Sequence, residues 1–184
     1  MTPRPHIPRL RAWLQAGGVI AYPTESCYGL GCDPRNARAV KRILRFKGRP
    51  RGKGLILIAA RFEQLAPFLA PVPPNLQARF PEWWPGPTTL LLPAAEHCPP
   101  WLTGRHDKLA VRVTAHPEAA RLCRALGMAL VSTSANRSGQ RPLKTAAACR
   151  HAFGARVRTL DGRIGRRKRP STILDPGSAR ILRP

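Results

Sequence analysis

An α/β domain is the fold class this sequence predicts, and three observations predict it. Apolar residues recur by turns at strand and at helix spacing, Gly, Pro and Asn mark the changes of spacing, and 43% of the chain is apolar. Strands alternating with helices indicate an α/β sandwich. The 184 residues fit one domain, residues 1–184, because no internal repeat and no long linker divides them.

Each element follows from its own pattern. Ile7, Leu10, Trp13 and Leu14 share one helical face, and Gly17-Gly18 stops that helix. VIAYPT (19–24) is β-rich and ends at its proline, after which ESCYGLGCD reads as a Gly-punctuated loop. Asp33 or Asn36 can cap a second helix carrying Ala37, Val40, Ile43 and Leu44, which delivers Lys47 and Arg49 just past its end. LILIAA (55–60) is a buried strand. The Pro- and aromatic-rich stretch 62–87 predicts a short helix near 75–80 between irregular segments, with Trp83-Trp84 closing the core. TTLLLP and LAVRVT read as strands, 117–126 as a helix with Pro in its first turn, and ALVSTS as a strand running into the loop ANRSGQRP. After a helix over 145–153, VRTLD, STILD and RILRP make three closely spaced strands, whose spacing suggests antiparallel pairing.

The charge balance narrows the chemistry. There are 32 Lys and Arg against 9 Asp and Glu, a formal charge of +23. The apolar share is ordinary, so the chain folds rather than remaining a disordered polycation. Carboxylates scattered from Glu25 to Asp175 count against two-metal nucleases and two-acid glycosidases, which need acidic pairs. Five cysteines without a C-x-x-C pair indicate neither a zinc ribbon nor a disulfide framework and point to a reducing cytoplasm. No apolar run reaches the roughly 20 residues of a membrane helix, and MTPRPHIPRLR lacks an apolar signal core, so a soluble protein that is not exported is expected.

Three segments, PTESCYGLG, KGRPRGK and STSANRSG, concentrate hydroxyl and cationic residues at element ends, where α/β folds bind ligands. Singly, each also reads as an ordinary turn or a solvated helix terminus. No Walker A, dinucleotide or zinc-ligand spacing competes with them. Cys27 and Cys32 read as small buried thiols, and the histidines follow no metal-ligand spacing. GRRKRP can be a solvated loop, a lid over a triphosphate or an RNA-contacting patch.

Taken together and in order, GGVIAYPTESCYGLGCD, KGRPRGKGLILIAA, WPGPTTLLLPA, WLTGRHDKLAVRVTAHP, LVSTSANRSGQ and PSTILD with ILRP resemble the YrdC/TsaC family, the threonylcarbamoyl-AMP synthases. The family's K-x-R and S-x-N signature falls on Lys47, Arg49, Ser134 and Asn136. The resemblance implies a twisted open mixed sheet flanked by helices, with a large basic cavity for ATP, L-threonine and bicarbonate. It implies Lys47 and Arg49 as the catalytic cations. Ser26, Arg112, Ser132 and Ser171 fall on the threonine side, and Arg49, Lys53, Ser134, Asn136 and Arg183 on the nucleotide side.

The implied chemistry is threonylcarbamoyl-AMP formation, the first step toward N6-threonylcarbamoyladenosine in tRNA. Such phosphoryl chemistry needs positioning and charge neutralisation more than a covalent nucleophile. With few carboxylates, Mg2+ is expected to ride on ATP and water rather than in a fixed protein site. Downstream threonylcarbamoyl-transfer enzymes, and tRNA weakly held, are the implied partners. The sequence departs from the family at Ile58, Pro142 and Lys108, and ending at Pro184 it looks like the short bacterial form. The main rival is a non-enzymatic binder of structured RNA, which would spread Arg over an exposed face rather than into a pocket.

Overall fold

The computed structural model describes residues 6–183, so the first five residues of the basic start and the last of RILRP lie outside the described residues. In chain order the elements begin with α1 (Ile7–Gln15), β1 (Ile20–Pro23), β2 (Tyr28–Gly31), α2 (Ala37–Lys47) and β3 (Ile56–Ala59). Next come α3 (Pro74–Gln77), β4 (Thr88–Pro93), α4 (Pro100–Thr103), β5 (Lys108–Val113) and α5 (Pro117–Leu126). The chain closes with β6 (Leu130–Ser134), α6 (Ala146–Phe153), β7 (Arg158–Thr159), β8 (Thr172–Asp175) and β9 (Arg180–Arg183). The strands form one nine-stranded mixed sheet in the order β7-β1-β2-β6-β3-β5-β4-β8-β9.

Alternation along the strands builds two faces. Leu30, Leu57, Ala59, Leu90, Leu92, Val111 and Val131 point to one face, where α2, α6 and the aromatic-rich segment through Trp84 cover them. Ile20, Tyr22, Ile58 and Leu130 point to the other, under α1 and α5. Each fully buried side chain of this kind stabilises the fold by roughly 1.5–3 kcal/mol. The α1/α5 layer covers only half of its face. Ile56, Ala110, Arg112, Ser132 and Ser134 continue that face beyond the helices, and there they line an open cleft.

Capping sets where the signature residues land. The Asn36 side chain accepts from Ala39 N–H at 3.0 Å to start α2, and Gly48, at φ 57°, ends it in the left-handed region that suits glycine. Lys47 is therefore the last residue of α2 rather than a residue beyond it.

Two expectations are corrected. YGLG is a strand, β2, and not a loop: it pairs antiparallel with both β1 and β6. Its Gly31 is needed for packing, since a Cβ there would lie 2.7 Å from the Tyr22 ring and 2.8 Å from Val131 O. The final strands do not cluster either. β8 and β9 pair antiparallel at one edge, whereas β7 pairs parallel with β1 at the opposite edge. The segment 160–171 must then cross from one edge region to the other. It is tied down on the way by the Tyr28 hydroxyl, which donates to Gly162 O at 2.8 Å, and by Gly165 N–H to Thr24 O at 2.9 Å. Sequence reading also missed α4 and several single 3-10 turns, which are too short to show a period.

Candidate active site

The open half of the sheet face floors a cleft of about 1370 Å3. That exceeds the roughly 300–1,000 Å3 of a typical small-ligand pocket, leaving room for two ligands side by side. Ser26, Lys47, Arg49, Lys53, Arg112, Ser132, Ser134, Asn136, Ser171 and Arg183 all line it, although they come from six separate stretches of chain. The departures divide. Lys108 and Pro142 line the same cleft, while Ile58 is wholly buried under α1 and α5 and stays outside it.

Lys47 is the most constrained cation. Only 4% exposed, its ammonium donates to Ser134 O at 2.6 Å, Asn136 O at 3.0 Å and Asn136 Oδ1 at 3.0 Å, with Ser134 Oγ at 3.4 Å. One nitrogen thus fixes the β6 end and the loop that follows it. Burial, and then the neighbouring Arg49 guanidinium, bring its pKa down to about 8. Its oxygen partners favour the charged form, so Lys47 is an ammonium at neutral pH. Asn136 is oriented from its other end by donating Nδ2 to Gln140 O at 2.6 Å and Arg137 O at 2.9 Å.

Arg49, just past Gly48, folds back onto the next turn: Nε and one terminal nitrogen donate to Gly54 O at 3.3 and 3.0 Å, and the latter also to Lys53 O at 3.2 Å. Its remaining edge is left for the cleft. Arg183 donates to Ser171 O at 2.8 Å and Ser171 Oγ at 2.9 Å, and that hydroxyl also accepts from Thr89 Oγ1 at 2.9 Å. Burial pushes the Arg183 pKa down, as do the guanidinium groups of Arg112, Arg49 and Arg167. Cations crowded in this way gain when an anion enters between them.

Arg112 differs from the others. It is buried on β5, and one terminal nitrogen lies 3.3 Å from Glu25 Oε2, while Thr114 donates to Glu25 Oε1 at 2.6 Å. Glu25 and Thr114 were invisible to sequence reading as site residues because 89 positions separate them; only the meeting of the β1–β2 turn with the β5 end brings them together. Lys108 also has an acidic partner, Asp175, at 2.6 Å.

The weaker candidates divide: Cys27, only partly buried, and His106 line the cleft, while Cys32, His116 and Trp84 serve packing and capping. Burial pushes the Cys27 and Cys32 thiols up, and Cys32 is fully buried. His116 caps α5, accepting from Ala119 N–H, and its Nε2 meets Arg163 O at 3.0 Å. Trp84 is buried in the core, and Trp83 packs under the Arg79 guanidinium 4.9 Å from its ring centre. In the basic segment Arg167 is not free: it donates to Arg169 O, Pro170 O and Thr172 Oγ1. Among the described residues no helix is long and apolar enough to cross a membrane.

The chain is similar in sequence and in fold to known proteins. The chain is 61% identical over 176 residues to a threonylcarbamoyl-AMP synthase of Thiobacillus denitrificans, covering 96% of this chain and 94% of that one. It is 59% identical over 187 residues to a threonylcarbamoyl-AMP synthase of Chromobacterium violaceum, covering 98% and 97%. The fold superposes on the crystal structure of P. abyssi Sua5 complexed with L-threonine with a TM-score of 0.86 at 34% identity, over 97% of this chain and 53% of that one, so it spans about half of that longer protein. A family model for Sua5, YciO and YrdC proteins, described as Telomere recombination, matches residues 12–184. With the motif order, the nine-stranded sheet and close relatives in agreement over nearly its whole length, the chain belongs to the Sua5/YciO/YrdC family.

Proposed function

We propose that this protein makes threonylcarbamoyl-AMP from L-threonine, bicarbonate and ATP. The observation that carries the reading is the single cleft with two chemically different walls. Arg112, Ser132, Ser26 and Ser171 form a wall of hydroxyls around one compensated cation, suited to a small zwitterion. Lys47, Arg49, Lys53 and Arg183 form a cationic wall suited to a polyphosphate, with Ser134 and Asn136 offering polar side chains beside it.

The chemistry balances without a covalent enzyme intermediate. Threonine's ammonium group first gives up a proton to solvent, and the neutral amine and bicarbonate then give the carbamate and water. A carbamate oxygen then attacks the α-phosphorus of ATP, the bond from that phosphorus to the α,β-bridging oxygen breaks, and pyrophosphate leaves with that oxygen. The chain's part is to hold the two reactants in line and to neutralise charge that grows on the leaving group, the role of Arg49, Lys53 and Arg183 in this reading. Lys47 works by fixing Ser134 and Asn136. In this reading Mg2+ is held by the phosphates and water. When bound there, it neutralises phosphate charge.

A purely RNA-binding role fits less well. Such a binder displays Arg on an open face, whereas here Lys47 and Arg112 are buried in the cleft walls. Weak, salt-dependent tRNA binding by the remaining surface Arg residues is compatible with the enzyme, as is a cytoplasmic setting that supplies downstream threonylcarbamoyl-transfer enzymes. The test is pyrophosphate release with ATP, Mg2+, L-threonine and labelled bicarbonate. The label is expected in an adenylate, and release that needs neither threonine nor bicarbonate overturns the reading.

A further inference from the structure

Arg112 is a cleft-lining guanidinium held by a carboxylate in a protein of net charge +23. The ion pair is well buried, with the Arg112 side chain 8% and the Glu25 side chain 14% exposed. Glu25 is fixed on three sides: Thr114 donates to its Oε1, Arg112 faces its Oε2, and its backbone carbonyl accepts Arg167 N–H at 3.1 Å. Its position is also closed from above, since a Cβ on Gly165 would lie 2.6 Å from Glu25 O. Within Arg112, Nε is buried and has no hydrogen-bond partner, so the guanidinium is not saturated by its own fold. A buried cation kept unsaturated, yet matched in charge by a rigid carboxylate, is an arrangement for a ligand that brings both signs of charge.

We propose that Glu25 is a specificity-determining positioning residue: by holding and compensating Arg112, it reserves the hydroxyl-lined half of the cleft for a zwitterionic amino acid and keeps free polyanions out of it. The inference rests on the functional reading above, in which this half takes threonine. The physical need is plain. Arg49, Lys53 and Arg183 border the same open cleft, so phosphate or pyrophosphate would spread into any uncompensated cationic pocket beside them. With Glu25 behind Arg112, a ligand carboxylate still finds guanidinium N–H groups. A ligand with no positive charge meets the Glu25 field as well. An α-ammonium group offsets that field, and a phosphate cannot.

The test is binding, measured by calorimetry on the intact protein, so that it does not depend on turnover. The probes are L-threonine, its deaminated analogue 2,3-dihydroxybutanoate, and inorganic pyrophosphate as a competitor of threonine. The wild-type protein should prefer threonine to the deaminated analogue by about tenfold or more, the worth of one charge-assisted contact. Glu25→Gln keeps the size and the acceptor for Thr114 but removes the charge. It should weaken threonine about tenfold, leave the deaminated analogue unchanged or tighter, and make pyrophosphate compete with threonine. Glu25→Asp, which retains the charge, should keep the preference even if affinity falls. A residue that only supported the fold would shift all three ligands together. Equal loss for threonine and its analogue in Glu25→Gln therefore overturns the proposal. If neither variant folds, equal affinity of the wild-type protein for the two ligands overturns it on its own. Failure of pyrophosphate release with normal threonine selectivity would instead count against the synthase reading alone.

Discussion

Replacing Lys47 by Met separates the fold from the function. Methionine has a similar length and volume but carries no charge, so the α2 end still packs while the four oxygen contacts at 2.6–3.4 Å on Ser134 and Asn136 disappear. Losing hydrogen bonds to a charged group costs roughly 1.5–3 kcal/mol. Against this, burial and the Arg49 charge hold the ammonium at about 8 where an ordinary lysine titrates at 10.5, and removing the charge relieves a cost of the same order, roughly 1–3 kcal/mol. The two nearly cancel, so folding stability should move by about 1 kcal/mol or less. Activity has no such offset, because Ser134 and Asn136 lose their common anchor. The rate constant kcat/KM for ATP at pH 7 should fall by ~10- to 100-fold, measured as initial pyrophosphate release.

The pH dependence gives a second readout of the same change. In the free protein the ammonium deprotonates as pH rises through about 8, so wild-type kcat/KM should decline on that alkaline limb, and Lys47→Met should lack it. For stability the sign is opposite. The unfolded chain keeps this proton up to about 10.5 and the fold releases it near 8, so the cost of burying the charge is complete below pH 8 and fades as pH climbs to 10.5. Urea unfolding should show the wild-type protein gaining on Lys47→Met across that window. A folded Lys47→Met protein with wild-type kcat/KM, or one that keeps the alkaline limb, refutes the argument.

Two further substitutions probe the cleft wall and the sheet. Arg49→Lys cannot both hold the carbonyls of Lys53 and Gly54 and present a planar edge to the cleft, so kcat/KM should drop about tenfold or more with the thermal melt nearly unchanged; wild-type kinetics would remove Arg49 from the site. Gly31→Ala drives a Cβ onto the Tyr22 ring and Val131 O and should cost roughly 1–3 kcal/mol in urea unfolding, whereas an unchanged midpoint would contradict the packing assigned to β2.

Much of the molecule was legible before any coordinates. Helix α5 runs from Pro117 to Leu126 and β4 from Thr88 to Pro93, as their patterns read, because a proline start and a continuous apolar run are local signals. For α2 the apolar stripe and a cap at Asp33 or Asn36 were legible, whereas the choice of Asn36 and the end at Lys47 before Gly48 came from the structure. The ordered motifs also named ten residues that turn out to line one cleft. Local sequence sufficed here because capping, periodicity and turn chemistry act over a few residues.

What only the tertiary structure decided depends on partners far along the chain. YGLG looked like a loop because glycine has low strand propensity, yet Tyr22 and Val131 leave no space for any other side chain there. The opposite-edge placement of β7 follows from pairing with β1, across more than a hundred residues, and no spacing rule reports it. The resemblance gave Lys47 as a catalytic cation, and the fold makes it the internal anchor of Ser134 and Asn136. Glu25 had no local mark at all: its meaning comes from Arg112 and Thr114, which reach it only when the β1–β2 turn meets the end of β5. Burial and long-range pairing set the charge each of these groups can hold, and those are properties of the packed sheet rather than of any one segment.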